Sequence, residues 1–208
     1  MGNDSARSHD GLGVGVVAPL ADRAVGTTRW HVDRWDAEQT RWVKTRSGLV
    51  APTGADFMRL RVRPYEQSEL MGNLITNAGW TRLMNLLTAQ GGTQALSATA
   101  TRIGVGDSST AEAYADTDLG AAAGSTHRYF QPVSGAGSLG TRTLAFSATF
   151  GTADGNFAWN EFGLDVGTPT VSGGTTVNAL LFNHKAGIAQ GTKASGQTWT
   201  ATATLTFT

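Results

Sequence analysis

From Thr198 to Thr208 the chain alternates without a fault: Trp199, Ala201, Ala203, Leu205 and Phe207 fall on one side and six threonines on the other. A period of two is the signature of a β-strand with one buried face. Such a strand ties its end of the sequence into a sheet. The rest of the composition agrees. With 208 residues the chain can bury a real core as one large domain. Its 27 glycines and only 15% charged residues favour short strands joined by tight turns over a helical bundle.

Charge and cysteine content narrow the function classes. Sixteen basic and sixteen acidic residues leave no net charge, so no global field draws the chain to nucleic acid or to an anionic membrane. The absence of cysteine removes disulfides and thiolate zinc sites together. The start of the chain lacks a basic segment followed by a solid apolar run, and no stretch is apolar enough to span a bilayer.

Residues 1–25 read as an extended arm, in which Gly11, Gly13 and Gly15 alternate with Leu12, Val14 and Val16. Leu12, Val14, Val16 and Val17 are its candidate partner-binding residues. Thr28 to Trp35 and Arg41 to Thr45 read as strands of a hairpin around the polar stretch 36–40. Met58, Leu60 and Val62 alternate with Arg59, Arg61 and Arg63, an edge strand with a basic face that could meet an acidic partner before Pro64 ends it. A helix is expected over 76–89, capped by Thr76 or Asn77, with Trp80, Leu83, Met84 and Leu87 on one face. Beyond residue 100 the pattern is strand, turn, strand. Leu144 to Phe150 and Phe157 to Val166 form an expected hairpin about Asp154 and Gly155, and Val177 to His184 precedes the terminal strand. At Glu161 the apolar side switches from Phe157 and Trp159 to Phe162 and Leu164, which requires a bulge or burial on both faces.

The fold class is therefore mainly β: an antiparallel, jelly-roll-like β-sandwich with one short helix and an extended N-terminal arm. Residues 26–208 form a single domain, with a hairpin and edge strand in 26–70, the helix at 76–89 and core strands in 100–208. Trp80, Leu83, Trp159, Glu161 and Trp199 are the expected structural anchors.

No catalytic, metal or cofactor constellation emerges. The stretch Ile103, Gly104, Val105, Gly106, Asp107 lacks the third glycine and the helix of a dinucleotide fingerprint. His9, His31, His127 and His184 have no ligand spacing. Asp107, Asp116 and Asp118 could wrap a calcium ion, but solvated turn carboxylates are the simpler reading. Glu161, shielded by its aromatic neighbours, would have a raised pKa, yet one carboxylate is not an active site. A buried pair with Arg142, Lys185 or Lys193 is the expectation.

The order of motifs resembles a β-rich module of virion proteins in tailed bacteriophages, especially minor tail, fibre or capsid-associated proteins. The likeness covers about residues 70–208. It rests on Asn73 to Trp80 (NLITNAGW) leading into a helix, Ile103 to Thr110 (IGVGDSST), and Thr117, Asp118, Leu119. Phe157 to Leu164 (FAWNEFGL), Leu181 to Lys185 and Gly191, Thr192, Lys193 before the terminal strand complete it. The resemblance implies a non-enzymatic structural subunit, commonly a homotrimer, assembled into the virion in the host cytoplasm. Its partners would be major capsid or tail subunits, with no nucleic acid, membrane or cofactor involved. A capsid decoration or cement protein is the first expectation and a minor tail or tail-fibre protein the second. The rival from another class is a carbohydrate-binding sandwich that stacks sugars on Trp30, Trp35 or Trp42.

Overall fold

The computed structural model describes residues 26–90, 93–135, 137–167, 170–172, 175–177 and 180–207. The expected arm, with Leu12, Val14, Val16 and Val17, lies outside them. In chain order the first elements are β1 (Gly26–Trp35), α1 (Ala37–Ser47), α2 (Gly54–Arg59), β2 (Glu66–Met71), β3 (Leu74–Ile75) and α3 (Asn77–Leu87). Next come β4 (Thr101–Gly106), β5 (Arg128–Pro132), β6 (Ser138–Leu139), β7 (Thr143–Phe150) and β8 (Glu161–Val166). The last are β9 (Thr170–Ser172), β10 (Thr175–Val177), β11 (Leu180–Ala186) and β12 (Thr198–Phe207).

Two antiparallel five-stranded sheets, β2-β1-β12-β7-β6 and β3-β11-β8-β4-β5, form a mainly-β sandwich, and β9 with β10 makes a separate two-stranded ribbon. The alternating C-terminal strand lies inside the first sheet, paired with β1 from Gly26↔Phe207 to Trp35↔Thr198 and on its other side with β7. Trp199, Ala201, Ala203 and Leu205 are buried against Ile103, Phe162 and Phe182 of the second sheet. Trp30 from one layer stacks on Phe162 from the other, with ring centroids 4.8 Å apart. Burying such rings supplies the main stabilising term and holds the two layers in one register.

Several local expectations are corrected. Residues 41–45 belong to α1, not to a hairpin strand. Asp36 accepts the Gln39 N–H at 2.8 Å and the Gln39 side chain accepts the Asp36 N–H at 3.0 Å, a capping box that starts a helix where the Trp and Arg alternation suggests a strand. The helix stops at Gly48, in the left-handed region at φ 72°. Residues 58–62 are likewise not an edge strand. Thr53 and Asp56 cap α2, Leu60 terminates it, and Arg61 turns back at φ 59°, so Arg59, Arg61 and Arg63 never share a strand face. The edge strands of the first sheet are β2 and β6 instead.

The expected hairpin about Asp154 and Gly155 is a crossover: β7 stays in the first sheet while β8 enters the second. Trp159 fills the space between them, fully buried, with its indole N–H donating to the Gly155 carbonyl at 2.9 Å. Among the described residues there are three helices rather than one. On α3 the inward residues are Gly79 and Arg82, whereas Trp80 and Leu83 are half-buried and Met84 and Leu87 are exposed. The helix sits down on β11 through Gly79, where a Cβ would come within 2.1 Å of the Phe182 carbonyl oxygen.

Candidate functional site

β8 is buried along its whole length, which is the two-sided burial required at Glu161. Phe162, Leu164 and Val166 enter the core between the sheets. Glu161, Gly163 and Asp165 point to the outer face of the second sheet, where α3 and the loop 107–127 lie. The neighbouring strand makes room for that loop by omitting side chains. A Cβ on Gly106 would fall 2.1 Å from Glu161 Oε1, and one on Gly104 would fall 2.5 Å from the Phe130 ring. Leu119 from the loop packs there with Phe130 and Leu181.

The Glu161 carboxylate is wholly buried and fully engaged. Oε2 accepts the Gly120 N–H and Oε1 the Ala121 N–H, each at 2.8 Å. Nε2 of His184 is 2.8 Å from Oε2, and Nδ1 of the same ring is 2.7 Å from Asp116 Oδ2. Asp116 also accepts the Ala113 N–H at 2.8 Å. Burial is the largest single influence on His184 and pulls its pKa down, but the bonds to Glu161 and Asp116 together outweigh it and hold the pKa above the usual histidine value. With a carboxylate oxygen within hydrogen-bond distance of each ring nitrogen, the arrangement suits an imidazolium that donates on both sides.

The same loop is held at three further points. Lys185 Nζ lies 2.9 Å from Glu112 Oε1, and the Ala186 N–H donates to Glu112 Oε2 at 3.0 Å. Burial opposes ionisation of Glu112, yet Lys185 and the Ala186 amide keep its pKa below the ordinary value. Arg128 pairs with Asp118 at 2.8 Å, and His127 with Asp107 at 2.8 Å. Asp107, Asp116 and Asp118 thus diverge to three different partners, His127, His184 and Arg128. No group of three or more potential metal ligands converges among the described residues.

Glu161 is buried as expected, but its partner is His184 rather than Arg142, Lys185 or Lys193. Lys193 is buried elsewhere, its ammonium donating to the Gly151 carbonyl and to Asn156 Oδ1, both at 2.7 Å. Burial lowers its pKa to about 8 against the opposing pull of Asp154. Trp199 is buried beneath the Arg34 guanidinium, whose carbon stands 4.7 Å above its ring centre. Of the three tryptophans considered as sugar platforms, Trp30 and Trp35 are buried and Trp42 is half exposed. Arg59 pairs with Asp56 at 3.0 Å, and all three of Arg59, Arg61 and Arg63 face solvent.

Sequence reasoning missed the roles of His184 and Asp116. The signal that was present is the run of outward glycines at 104, 106 and 163, which marks a sheet face that another segment must approach closely.

A second charged cluster lies on the same face. Asp165 stands opposite Arg102 in the β4–β8 register, and its carboxylate oxygens have no well-formed hydrogen-bond partner. Burial raises its pKa to about 7, with Arg102 pulling down and Asp118 pushing up. No helix among the described residues is long and apolar enough to cross a membrane. Comparisons with protein-family models, with curated proteins and with solved structures found no match for this chain.

Proposed function

We propose that this chain is a non-enzymatic structural subunit of a tailed-phage particle, which works by presenting surfaces to neighbouring subunits. The observation that carries the reading is the closure of the Asp116–His184–Glu161 bridge. A general acid or base has to reach a substrate within hydrogen-bond distance. Here Glu161 is 0% exposed and both its oxygens are taken by backbone N–H groups and His184. In this cluster the side chains that could do acid–base chemistry are spent on fastening a loop to a sheet.

What supports a particle component is the combination of this braced, disulfide-free sandwich with the motif order of residues 70–208. Within those motifs Gly104 and Gly163 lie against Leu119 of the loop 107–127, Gly106 lies against Glu161, and Glu161 accepts the Gly120 and Ala121 N–H groups. A subunit built this way offers rigid edges and loops to other proteins, and homotrimers are the assembly the resemblance implies. Decoration of the capsid is the first placement and the tail the second.

Immunogold electron microscopy of the parent phage with antibody to this chain tests the reading. Gold over the heads means decoration, and gold confined to the tail means a tail or fibre part. Particles without gold sink the proposal.

A further inference from the structure

The residues between β1 and β2 form a small module with its own core. Trp35, Val43 and Phe57 are buried together with Leu60 and Val62 against them. The Trp35 and Phe57 rings stack at 4.4 Å, and the Trp35 indole N–H donates to the Val62 carbonyl at 3.0 Å. This core fixes what the module shows to solvent. Among the described residues ten large apolar side chains are exposed, and five of them, Trp42, Leu49, Val50, Met58 and Tyr65, belong to residues 42–65. Trp42 and Val62 also line a shallow groove of about 240 Å³, whose other walls are Asp36, Glu38 and Gln39, so the basic surface lies beside this groove rather than in it.

The charge is as concentrated as the apolar surface. Residues 36–65 hold six of the sixteen basic residues, Arg41, Lys44, Arg46, Arg59, Arg61 and Arg63, but three acidic ones, Asp36, Glu38 and Asp56. In a chain with no net charge, this module carries three net positive charges and the remainder three net negative. Asp56 is paired with Arg59 at the end of α2, so among the described residues the unpaired arginine charge of the module rests on Arg41, Arg46, Arg61 and Arg63.

We infer that the α1–α2 module is a docking surface for an acidic face of another protein subunit. Its make-up is that of a protein interface, in which Trp, Tyr, Met and Arg are enriched and Lys and acidic residues are depleted. Five of its six cations are arginines, whose planar forks match carboxylates in pairs, while lysine would serve as well for a diffuse anionic field. Of the five exposed apolar side chains Trp42 and Tyr65 could stack on bases, but Leu49, Val50 and Met58 are aliphatic and suit burial against protein, which favours a protein partner over nucleic acid. This inference rests on the particle reading and names the side of the subunit that meets the shell or tube.

The experiment is co-sedimentation of purified full-length protein with parent-phage particles grown without this chain. The variants are the combined Arg59→Glu, Arg61→Glu, Arg63→Glu change, Trp42→Ser, and the control pair Met84→Ser, Leu87→Ser on α3. Unchanged thermal unfolding verifies that each is folded. Wild type and the α3 control should load at low salt and be released at about 0.5 M NaCl. The arginine reversal and Trp42→Ser should each load at least roughly tenfold more weakly. If both load as wild type does, the inference falls and the particle reading stands. If wild type itself does not load, the particle reading falls and takes the inference with it. Stronger binding of wild type to phosphatidylserine vesicles or a short DNA duplex than to the particles also overturns the protein partner.

Discussion

His184 Nε2 lies 2.8 Å from Glu161 Oε2, so the loop 107–127 is fastened to the second sheet through a buried ion pair as well as through two backbone N–H bonds. Glu161→Gln keeps the shape but removes the charge, and its amide group must face a donor. Breaking a buried pair from one side costs about 3 kcal/mol or more. Urea unfolding should register that loss, and the Gly120 and Ala121 amides should exchange with solvent faster than in wild type. A variant with wild-type stability and exchange would mean that the bridge holds nothing in place.

The two raised pKa values on this face give stability a slope with pH. His184 has a folded pKa above its unfolded one, so its contribution is complete below about 6.5 and is lost as the pH rises through the folded value. Asp165 keeps its proton in the fold up to about 7 but loses it near 3.8 when unfolded, so the folded state binds more protons across that window. Stability therefore falls with rising pH for this group too. The Glu112 and Asp56 carboxylates, held below their ordinary values, act only in more acidic solution, and Lys193 reverses the slope only above about 8. Urea midpoints should decline from about pH 4 to about pH 8. Asp165→Asn should remove the acidic half of that decline and leave the variant more stable than wild type at pH 8 by roughly 2–4 kcal/mol.

How far the sequence reveals such sites depends on whether the signal is local. The alternation of 198–207 is readable because each residue reports its own side of the sheet. The burial of Glu161 is readable from Trp159 and Phe162 beside it. Its partner is not: His184 is 23 residues away and Asp116 a further 68 from His184, and they meet only after β11 pairs with β8 and the loop folds back. The segment 37–47 was misleading for a different reason. Five residues with Arg, Trp and Lys fit a period of two as well as one of 3.6, and the capping box of Asp36 with Gln39 was the signal that separates them.

Glycine at 106 is a steric requirement that a single methyl group can test. Gly106→Ala would place its Cβ 2.1 Å from Glu161 Oε1, in a site where the carboxylate is already held by three donors. The carboxylate has to move off its amide partners, at a cost of about 2–3 kcal/mol. Gly135→Ala is the comparison, since nothing lies within 4 Å of a Cβ there. That variant should stay within about 0.5 kcal/mol of wild type. Thermal unfolding of the pair gives the answer, and equal midpoints would show that the loop can yield at no cost.

Asn183 is the polar link between the two sheets. It sits at a register shift in β11, fully buried, where the ladder to β8 is interrupted. Its Oδ1 takes the Leu164 N–H at 2.9 Å in place of a backbone carbonyl, and its Nδ2 donates to Thr28 Oγ1 on β1 at 3.1 Å. Asn183→Ala would leave the Leu164 amide buried without an acceptor and should cost roughly 2–3 kcal/mol in urea unfolding. Asn183→Asp separates the two roles of the side chain. Its carboxylate still accepts from Leu164 but cannot donate to Thr28, and it buries a charge with no cation described beside it. When protonated it can do both. The Asp variant should therefore be as unstable as the Ala variant at neutral pH and recover most of the loss in acid, relative to wild type at the same pH. If the two variants show the same deficit at every pH, the donor to Thr28 is not what couples the sheets.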